Sequence, residues 1–331
     1  MFDRLGAADV GRRVVVRHRL PDTSATDVVG ELVRLDRRGL AVLPDDGPLV
    51  DVEAAAVVVA KPVPARQVRP TSGAGAVQRI ADLGWPGLER RRLGGWVLRA
   101  GNGFTGRANS ALAVGDPGLP QAEAVAAVEA FYSERGLPPT VQVPFGLTGD
   151  DDPATPLDAW LRGRGWACDE PTLLMTGDLR SRPAVDLRSL PAADLRSRPA
   201  RELLDLTAEP DEEWLSQYRY RGGGLPAGAA QVLMAAPWQR FASLRRQGRI
   251  VAVGRVAVAS GWAGVTAMTV AQGHRRQGLG GLLLEGLLAV GSAAGARFAY
   301  LQVVETNTAG VALYQRHGFT AHHRYHYRTL A

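Results

Sequence analysis

The residues of this chain best suited to chemistry lie in one turn, Val270-Ala271-Gln272-Gly273-His274-Arg275-Arg276-Gln277-Gly278-Leu279-Gly280-Gly281. Two arginines beside closely spaced glycines could take a phosphate, the guanidinium groups donating charge-assisted hydrogen bonds at its rim. Such a turn needs elements on either side to hold it. Gly264 to Val270 is rich in small and β-branched residues and reads as a strand, while Leu282, Leu283, Leu284, Leu287 and Leu288 recur at helical spacing. The turn therefore opens a helix, whose first N–H groups lack intrahelical partners and carry the positive end of the helix dipole.

Other glycine-rich phosphate loops make different demands on these positions. A Walker loop needs Lys and then Ser or Thr after its last glycine, whereas Leu279 and Gly280 follow Gly278. A dinucleotide fingerprint needs a glycine where Leu283 stands and an acid about twenty residues on, where the chain reads Arg297-Phe298-Ala299-Tyr300. What remains is Arg-x-x-Gly-x-Gly after a strand ending in Val270. A second block follows, Asn307-Thr308-Ala309-Gly310-Val311-Ala312-Leu313-Tyr314-Gln315-Arg316-His317-Gly318-Phe319. Together the blocks resemble the GCN5-related N-acetyltransferase (GNAT) family, the first its acetyl-CoA pyrophosphate loop and the second its Asn-x-x-Ala-x-x-Leu-Tyr-x-x-x-Gly-Phe motif. Gly310 replaces the family's alanine.

The resemblance implies an α/β (α+β) acyl-CoA N-acyltransferase fold with a mixed central sheet, and acetyl-CoA as cosubstrate. Arg275, Arg276, Gln277, Gly278, Leu279, Gly280 and Gly281 would hold its pyrophosphate, and the backbone of Met268 and Val270 its pantetheine arm. Tyr314 would protonate the leaving CoA thiolate. Asn307 would bond the cofactor arm, cap its helix, or do both. Glu305 is the nearest acid by sequence that could serve as general base, directly or through water. Glu213, Trp214 and Tyr218 fall where the family places acceptor-binding helices.

A weaker echo of this block lies upstream. Leu157 to Trp166 parallels Val311 to Phe319, the helix expected over Ala122–Arg135 stands for that over Leu282–Ala294, and the strand expected over Asn109–Val114 stands for the one ending at Val270. The glycine loop is replaced by Asp116-Pro117-Gly118-Leu119-Pro120. Its prolines lack N–H groups and Asp116 repels phosphate. The chain thus reads as a tandem pair, a degenerate copy over residues 66–180 without the loop and a catalytic copy over residues 181–331. The second copy is expected to begin near Pro183, with early helices over Ala200–Leu206 and Glu212–Tyr220. In the first, Gly94–Arg99 and Gly103–Ser110 read as a hairpin, in which Arg107 and Asn109 either face the acceptor or brace the backbone. The run Thr105-Gly106-Arg107-Ala108-Asn109-Ser110 also resembles one in tandem members of the family.

Residues 1–65 differ in character. Short β-prone runs at Gly11–Leu20, Val28–Leu35, Gly39–Leu43 and Pro48–Val59, separated by turn signals such as Asp45-Asp46-Gly47, predict a small SH3-like β-barrel followed by a stiff linker over Ala60–Ala65. Such a barrel could pack or dimerise the chain, or recognise a partner.

The net charge of +6 carries no dense basic run, and Lys61 is the only lysine. Arginine is spread along the chain, which argues against nucleic acid as the partner. Cys168 is the single cysteine, so disulfides within the chain and cysteine metal sites are excluded. No charged-then-apolar leader opens the chain and no apolar run reaches membrane length, predicting a soluble, cytoplasmic protein. His317, His322, His323 and His326 resemble a metal cluster, but His322 and His323 should point to opposite faces of a strand, and no metal is expected. The expected activity is transfer of an acetyl group to the amine of a small molecule or amino acid. A protein amine and a non-catalytic acyl-CoA sensor are the alternatives.

Overall fold

In the computed structural model, the described residues are 5–44, 47–64, 66–147, 155–181, 203–220 and 222–331. The boundary expected near Pro183, the start of the helix expected from Ala200, and Ala65, Asp45 and Asp46 lie outside them.

The first five strands, β1 (Arg13–Arg19), β2 (Ala25–Leu35), β3 (Gly39–Pro44), β4 (Val50–Glu53) and β5 (Val57–Pro62), form an antiparallel sheet in the order β4-β3-β2-β1-β5. Val14, Val16, Leu32, Leu40 and Val42, all fully buried, fill its core. The apolar run at Pro48–Val59 is two strands, because a 3-10 turn at Ala54–Ala56 breaks it. The expected linker is shorter than its composition suggests: β5 continues to Pro62, which pairs with Val14.

The rest of the chain shares one sheet, in the order β12-β13-β14-β15-β16-β11-β17-β9-β8-β7-β6, with β10 (Ala167–Cys168) beside β17. From the first copy come β6 (Glu89–Leu93), β7 (Trp96–Ala100), β8 (Ala111–Leu112), β9 (Thr140–Phe145) and β11 (Thr172–Asp178). The second contributes β12 (Leu203–Thr207), β13 (Gln239–Arg246), β14 (Arg249–Ala259), β15 (Trp262–Val270), β16 (Phe298–Val304) and β17 (Thr320–Thr329). The parallel pairs fall at corresponding places: β15 with β16 and β8 with β9. Around the centre the copies exchange terminal strands. β11 lies antiparallel to β16, and β17 antiparallel to β9, so each copy's sheet is completed by the other's last strand.

Helix α1 (Ala74–Gly84) packs Val77, Ile80 and Ala81 against Trp262, Phe298 and Tyr300. Helix α2 (Gln121–Ser133) covers the first copy's strands, followed by α3 (Thr155–Gly163). In the second copy α4 (Glu212–Gln217) and α5 (Ala229–Leu233) precede α6 (Leu279–Ala293) and α7 (Thr308–Arg316). Leu283, Leu284 and Leu287 of α6 are fully buried on β14 and β15, each contributing about 1.5–3 kcal/mol by burial.

Five local expectations are corrected. Residues 203–207 form the edge strand β12 rather than part of a helix, because Leu204 packs where Gly286 leaves room and the backbone pairs with β13. Tertiary pairing thereby overrides the helix propensity of Glu-Leu-Leu. The first copy's hairpin is β6 with β7, and Gly103–Ser110 is a loop rather than a strand. The strand expected over Asn109–Val114 is only Ala111–Leu112, and the helix expected to Tyr220 ends at Gln217. Finally, His322 and His323 do not point apart. Leu174 pairs with His323 and Met175 with Ala321, leaving His322 as the extra residue of a β-bulge. The two Nδ1 atoms are 2.8 Å apart.

This histidine pair ties β17 to the start of α1. His322 Nε2 meets the Ser72 carbonyl at 2.9 Å and His323 Nε2 meets Gln78 Oε1 at 2.9 Å. His323 is 1% exposed, and burial, with the adjacent His322, pushes its pKa down to about 3. An unfolded histidine titrates near 6.5. Between those values the unfolded chain binds a proton that the folded one refuses, so stability should fall as pH drops below about 6.5, by up to about 1.4 kcal/mol per pH unit. Urea unfolding of wild type and His323→Gln at pH 7.5, 6 and 5 checks this. The wild type should lose stability more steeply, and equal slopes would contradict the assignment.

Candidate functional site

The parallel pairing of β15 and β16 runs from Trp262 opposite Phe298 to Val265 opposite Leu301 and then stops. Beyond it Thr266–Val270 and Gln302–Val304 have no ladder to each other, so the sheet opens into a wedge. A bulge marks the start of the opening. Val253 pairs with Thr269 and Arg255 with Thr266, leaving Ala267 and Met268 opposite Gly254, and Ala267 has φ +54°. The extra residue reverses the alternation of side chains. Ala263 and Val265 face α6 before the bulge, Met268 and Val270 face it afterwards, and Ala267 joins the aromatic cluster on the other side.

Helix α6 begins at the wide end of this wedge. A 3-10 turn at Gln272–His274 leads to Arg276 with φ +62° and Gly278 with φ +82°, two left-handed residues that turn the chain into the helix. The N–H groups of Gln277, Gly278, Leu279 and Gly280 have no backbone acceptor among the described residues. Arg275 Nε donates to the Val270 carbonyl at 3.2 Å. From β13, Arg246 Nη1 donates to Gln277 Oε1 at 2.6 Å, bringing a further cation to the loop that sequence spacing did not indicate. The later glycines do another job. A Cβ at Gly281 would sit 2.8 Å from His317, and one at Gly280 3.3 Å from Leu313, so both let α6 approach α7.

Helix α7 supplies the other wall. Asn307 is its N-cap, Oδ1 accepting from Gly310 N at 3.0 Å. A Cβ at Gly310 would meet Asn307 Nδ2 at 2.8 Å, so the glycine makes room for this cap. The Tyr314 phenol lies 4.0 Å from Met268 sulfur, and burial pushes its pKa up to about 12. Glu305 is occupied: its Oε1 accepts from Arg324 Nη2 at 2.7 Å and Nε at 3.1 Å, while Arg324 Nη1 donates to the Leu147 carbonyl.

The residues expected at the acceptor side divide. Asn109 is fully engaged in the backbone, accepting from Gly101 and Gly103 N–H and donating to the Phe104 and Thr105 carbonyls. Trp214 is 2% exposed, with its indole N–H on the Ala242 carbonyl. Glu213 accepts from Ile250 N–H and pairs with Arg245. Arg107 lies with its guanidinium carbon 5.0 Å from the centre of the Trp85 ring and within electrostatic reach of the Tyr218, Tyr220, Tyr325 and Tyr327 phenols. Among the histidines, His317 meets Glu285 and His326 meets Asp158 at 2.5 Å.

The corresponding loop of the first copy is used for docking. Asp116 Oδ2 accepts from Leu49 N–H at 3.0 Å and its carbonyl from Gly95 N–H at 2.6 Å, and Arg92 pairs with Glu31. The N-terminal β domain therefore sits against the turn that in the second copy forms the glycine loop. Among the described residues no helix is long and apolar enough to cross a membrane.

Comparison with known proteins agrees with this architecture. The family model described as "Probable histone acetyltransferase Rv0428c C-terminal" matches residues 71–328, and that of the Rv0428c N-terminal Sm-like domain matches residues 8–61, a small β fold close to the SH3-like one expected. The chain is 31% identical to the "Probable histone acetyltransferase Rv0428c" of Mycobacterium tuberculosis, over 96% of this chain and 94% of that protein. It is 28% identical to the "Uncharacterized N-acetyltransferase YobR" of Bacillus subtilis, over 76% and 96%. A solved GCN5-related N-acetyltransferase from Kribbella flavida shares the fold with a TM-score of 0.54 at 17% identity, covering 78% of this chain and 96% of that one. The chain belongs to the Rv0428c-type acetyltransferase family and is a GNAT N-acetyltransferase.

Proposed function

We propose that the protein transfers the acetyl group of acetyl-CoA to the amine of a small molecule or amino acid, with the wedge between β15 and β16 as the site of transfer. The observation that carries this reading is the Tyr314 phenol, aimed at Met268 where β15 and β16 part. The residues fit acetyl-CoA. Unpartnered N–H groups at the start of α6, with Arg275, Arg276 and Arg246 nearby, suit its pyrophosphate. The unpaired edge of Thr266–Val270 suits the amides of its arm, including the backbone of Met268 and Val270. Acetyl-CoA supplies the acyl group as a thioester.

Tyr314 carries its proton at neutral pH, as any phenol does, and burial raises its pKa further. It can therefore donate to a sulfur that gains charge as the C–S bond breaks. A backbone N–H on the open edge of β15 would polarise the thioester carbonyl while the neutral amine attacks. Asn307 organises the start of α7 and so the position of Tyr314. Glu305 would take the amine proton only through a carboxylate already shared with Arg324, which makes relay through water to its rim the form of base catalysis that suits it.

A protein amine is the second reading, favoured by the name of the mycobacterial relative, which speaks of histones. Thiol release with acetyl-CoA over a panel of amines, amino acids and histone-tail peptides tests both. Turnover on small amines that exceeds turnover on peptides is expected, and the reverse ranking would move the assignment to the protein acceptor.

A further inference from the structure

Two arginines stand without an acid, among the described residues, on the face of the wedge away from α6. Arg255, on β14, is fully buried. Its Nε donates to the Leu233 carbonyl at 2.7 Å, and its Nη1 to the Gly84 carbonyl at 3.0 Å and Thr266 Oγ1 at 3.3 Å. Its Nη2 is buried with no hydrogen-bond partner. Arg107 comes from the loop before β8, is partly buried, and makes no ion pair among the described residues. Both guanidinium carbons lie 5.0 Å from the Trp85 ring. The phenols of Tyr325, Tyr327, Tyr218 and Tyr220 lie within electrostatic reach of Arg107. Two cations set against one indole repel each other, and an orphaned guanidinium N–H is costly.

The first copy shows how the same position looks when it is satisfied. Arg99 on β7 reaches Ser110, the residue just before β8, as Arg255 on β14 reaches Thr266 on β15. Arg99 also pairs with Asp82 at 2.9 Å and takes Gln142 Oε1 at 2.7 Å. The first copy thus carries a built-in anion where the second carries none among the described residues. Thr266 is the first residue past the parallel pairing of β15 and β16, next to the bulge at Ala267 and two residues from Met268. An anion held by Arg255 therefore lies beside the site of transfer.

We propose that the acceptor amine carries a carboxylate, and that Arg107 and the Nη2 of Arg255 hold it beside the Trp85 ring. The inference rests on the assignment of the wedge as the acetyl-transfer site. Arg107, on the open side, admits and clamps the carboxylate, while Arg255 anchors it from below. An amine carrying the carboxylate is then positioned from the face opposite α6, with the acyl group entering from the α6 side.

Matched acceptors test this on the full chain: L-phenylalanine beside phenethylamine, L-tryptophan beside tryptamine and L-histidine beside histamine, followed by thiol release from acetyl-CoA. The carboxylate should raise kcat/KM by about 100-fold within a pair. In Arg107→Gln that ratio should collapse to about 5-fold or less, chiefly through KM. Arg107 is partly buried and makes no hydrogen bond among the described residues, so this variant should keep its fold, with unchanged acetyl-CoA affinity as the check. Binding is read separately by calorimetry with benzoate, with inorganic phosphate as the free-anion arm. Benzoate should bind the wild type at least about 30-fold more tightly than Arg107→Gln, and phosphate more weakly than benzoate. Carboxylate-dependent binding without acetylation would leave the anion pocket standing and overturn the transfer assignment. Equal kcat/KM within every pair, or benzoate affinity unaffected by Arg107→Gln, would overturn the pocket.

Discussion

Replacing Tyr314 with Phe should lower kcat by about 10²- to 10³-fold while leaving the acetyl-CoA dissociation constant within about threefold. The phenol's only polar neighbour among the described residues is the Met268 sulfur at 4.0 Å, so its loss orphans no buried group and should leave thermal stability unchanged. The ring remains to pack against Phe319 at 6.3 Å. Because burial holds the phenol's pKa up at about 12, loss of the proton donor should appear as a uniform drop across pH 6–9 rather than as a moved pH optimum. Steady-state kinetics with calorimetric acetyl-CoA titration measure this. A large loss of acetyl-CoA affinity with kcat preserved would assign Tyr314 to binding instead.

The second large effect is expected at Gly278. With φ +82° at the N-cap of α6, it holds a left-handed conformation that costs an L-residue about 1–2 kcal/mol. Gly278→Ala tests that strain alone and should weaken acetyl-CoA binding by about 10-fold. Gly278→Glu adds a carboxylate to a loop whose free N–H groups and arginines suit an anion, and should weaken it by at least about 100-fold. Comparable losses in the two variants would mean that backbone shape, and not charge, governs the loop.

The parts of the site legible in the sequence are those built from contiguous residues. The glycine turn, the helix it opens, the Asn307 cap and Tyr314 are local patterns, since capping and helix spacing are set within a few residues. The tandem organisation was legible for the same reason, as two copies of one local order. What was not legible comes from pairing over distance. The exchange of β11 and β17 depends on which strand edges meet, and no residue in Thr172–Asp178 distinguishes one copy's β16 from the other's β9. The bulge at Ala267 is visible only against β14. Arg255 reads as a polar interruption in an apolar strand, Ile250-Val251-Ala252-Val253-Gly254-Arg255-Val256. That was the available signal for the second cation, as a charge in a buried strand calls for a partner. Trp214 and Glu213, expected at the acceptor side because the resemblance places its acceptor-binding helices there, have their polar atoms taken up by burial and edge pairing, which only the long-range fold reveals.

The N-terminal domain follows the same logic. The first copy's substitute for the glycine loop, Asp116-Pro117-Gly118, is closed by Leu49 and Gly95 rather than left open to a ligand. The division of labour between the copies is the central claim, and the stoichiometry of acetyl-CoA binding tests it most directly. Calorimetric titration of the intact chain should give one site per chain, abolished by Gly278→Glu. Two sites, or one site that survives Gly278→Glu, would contradict it.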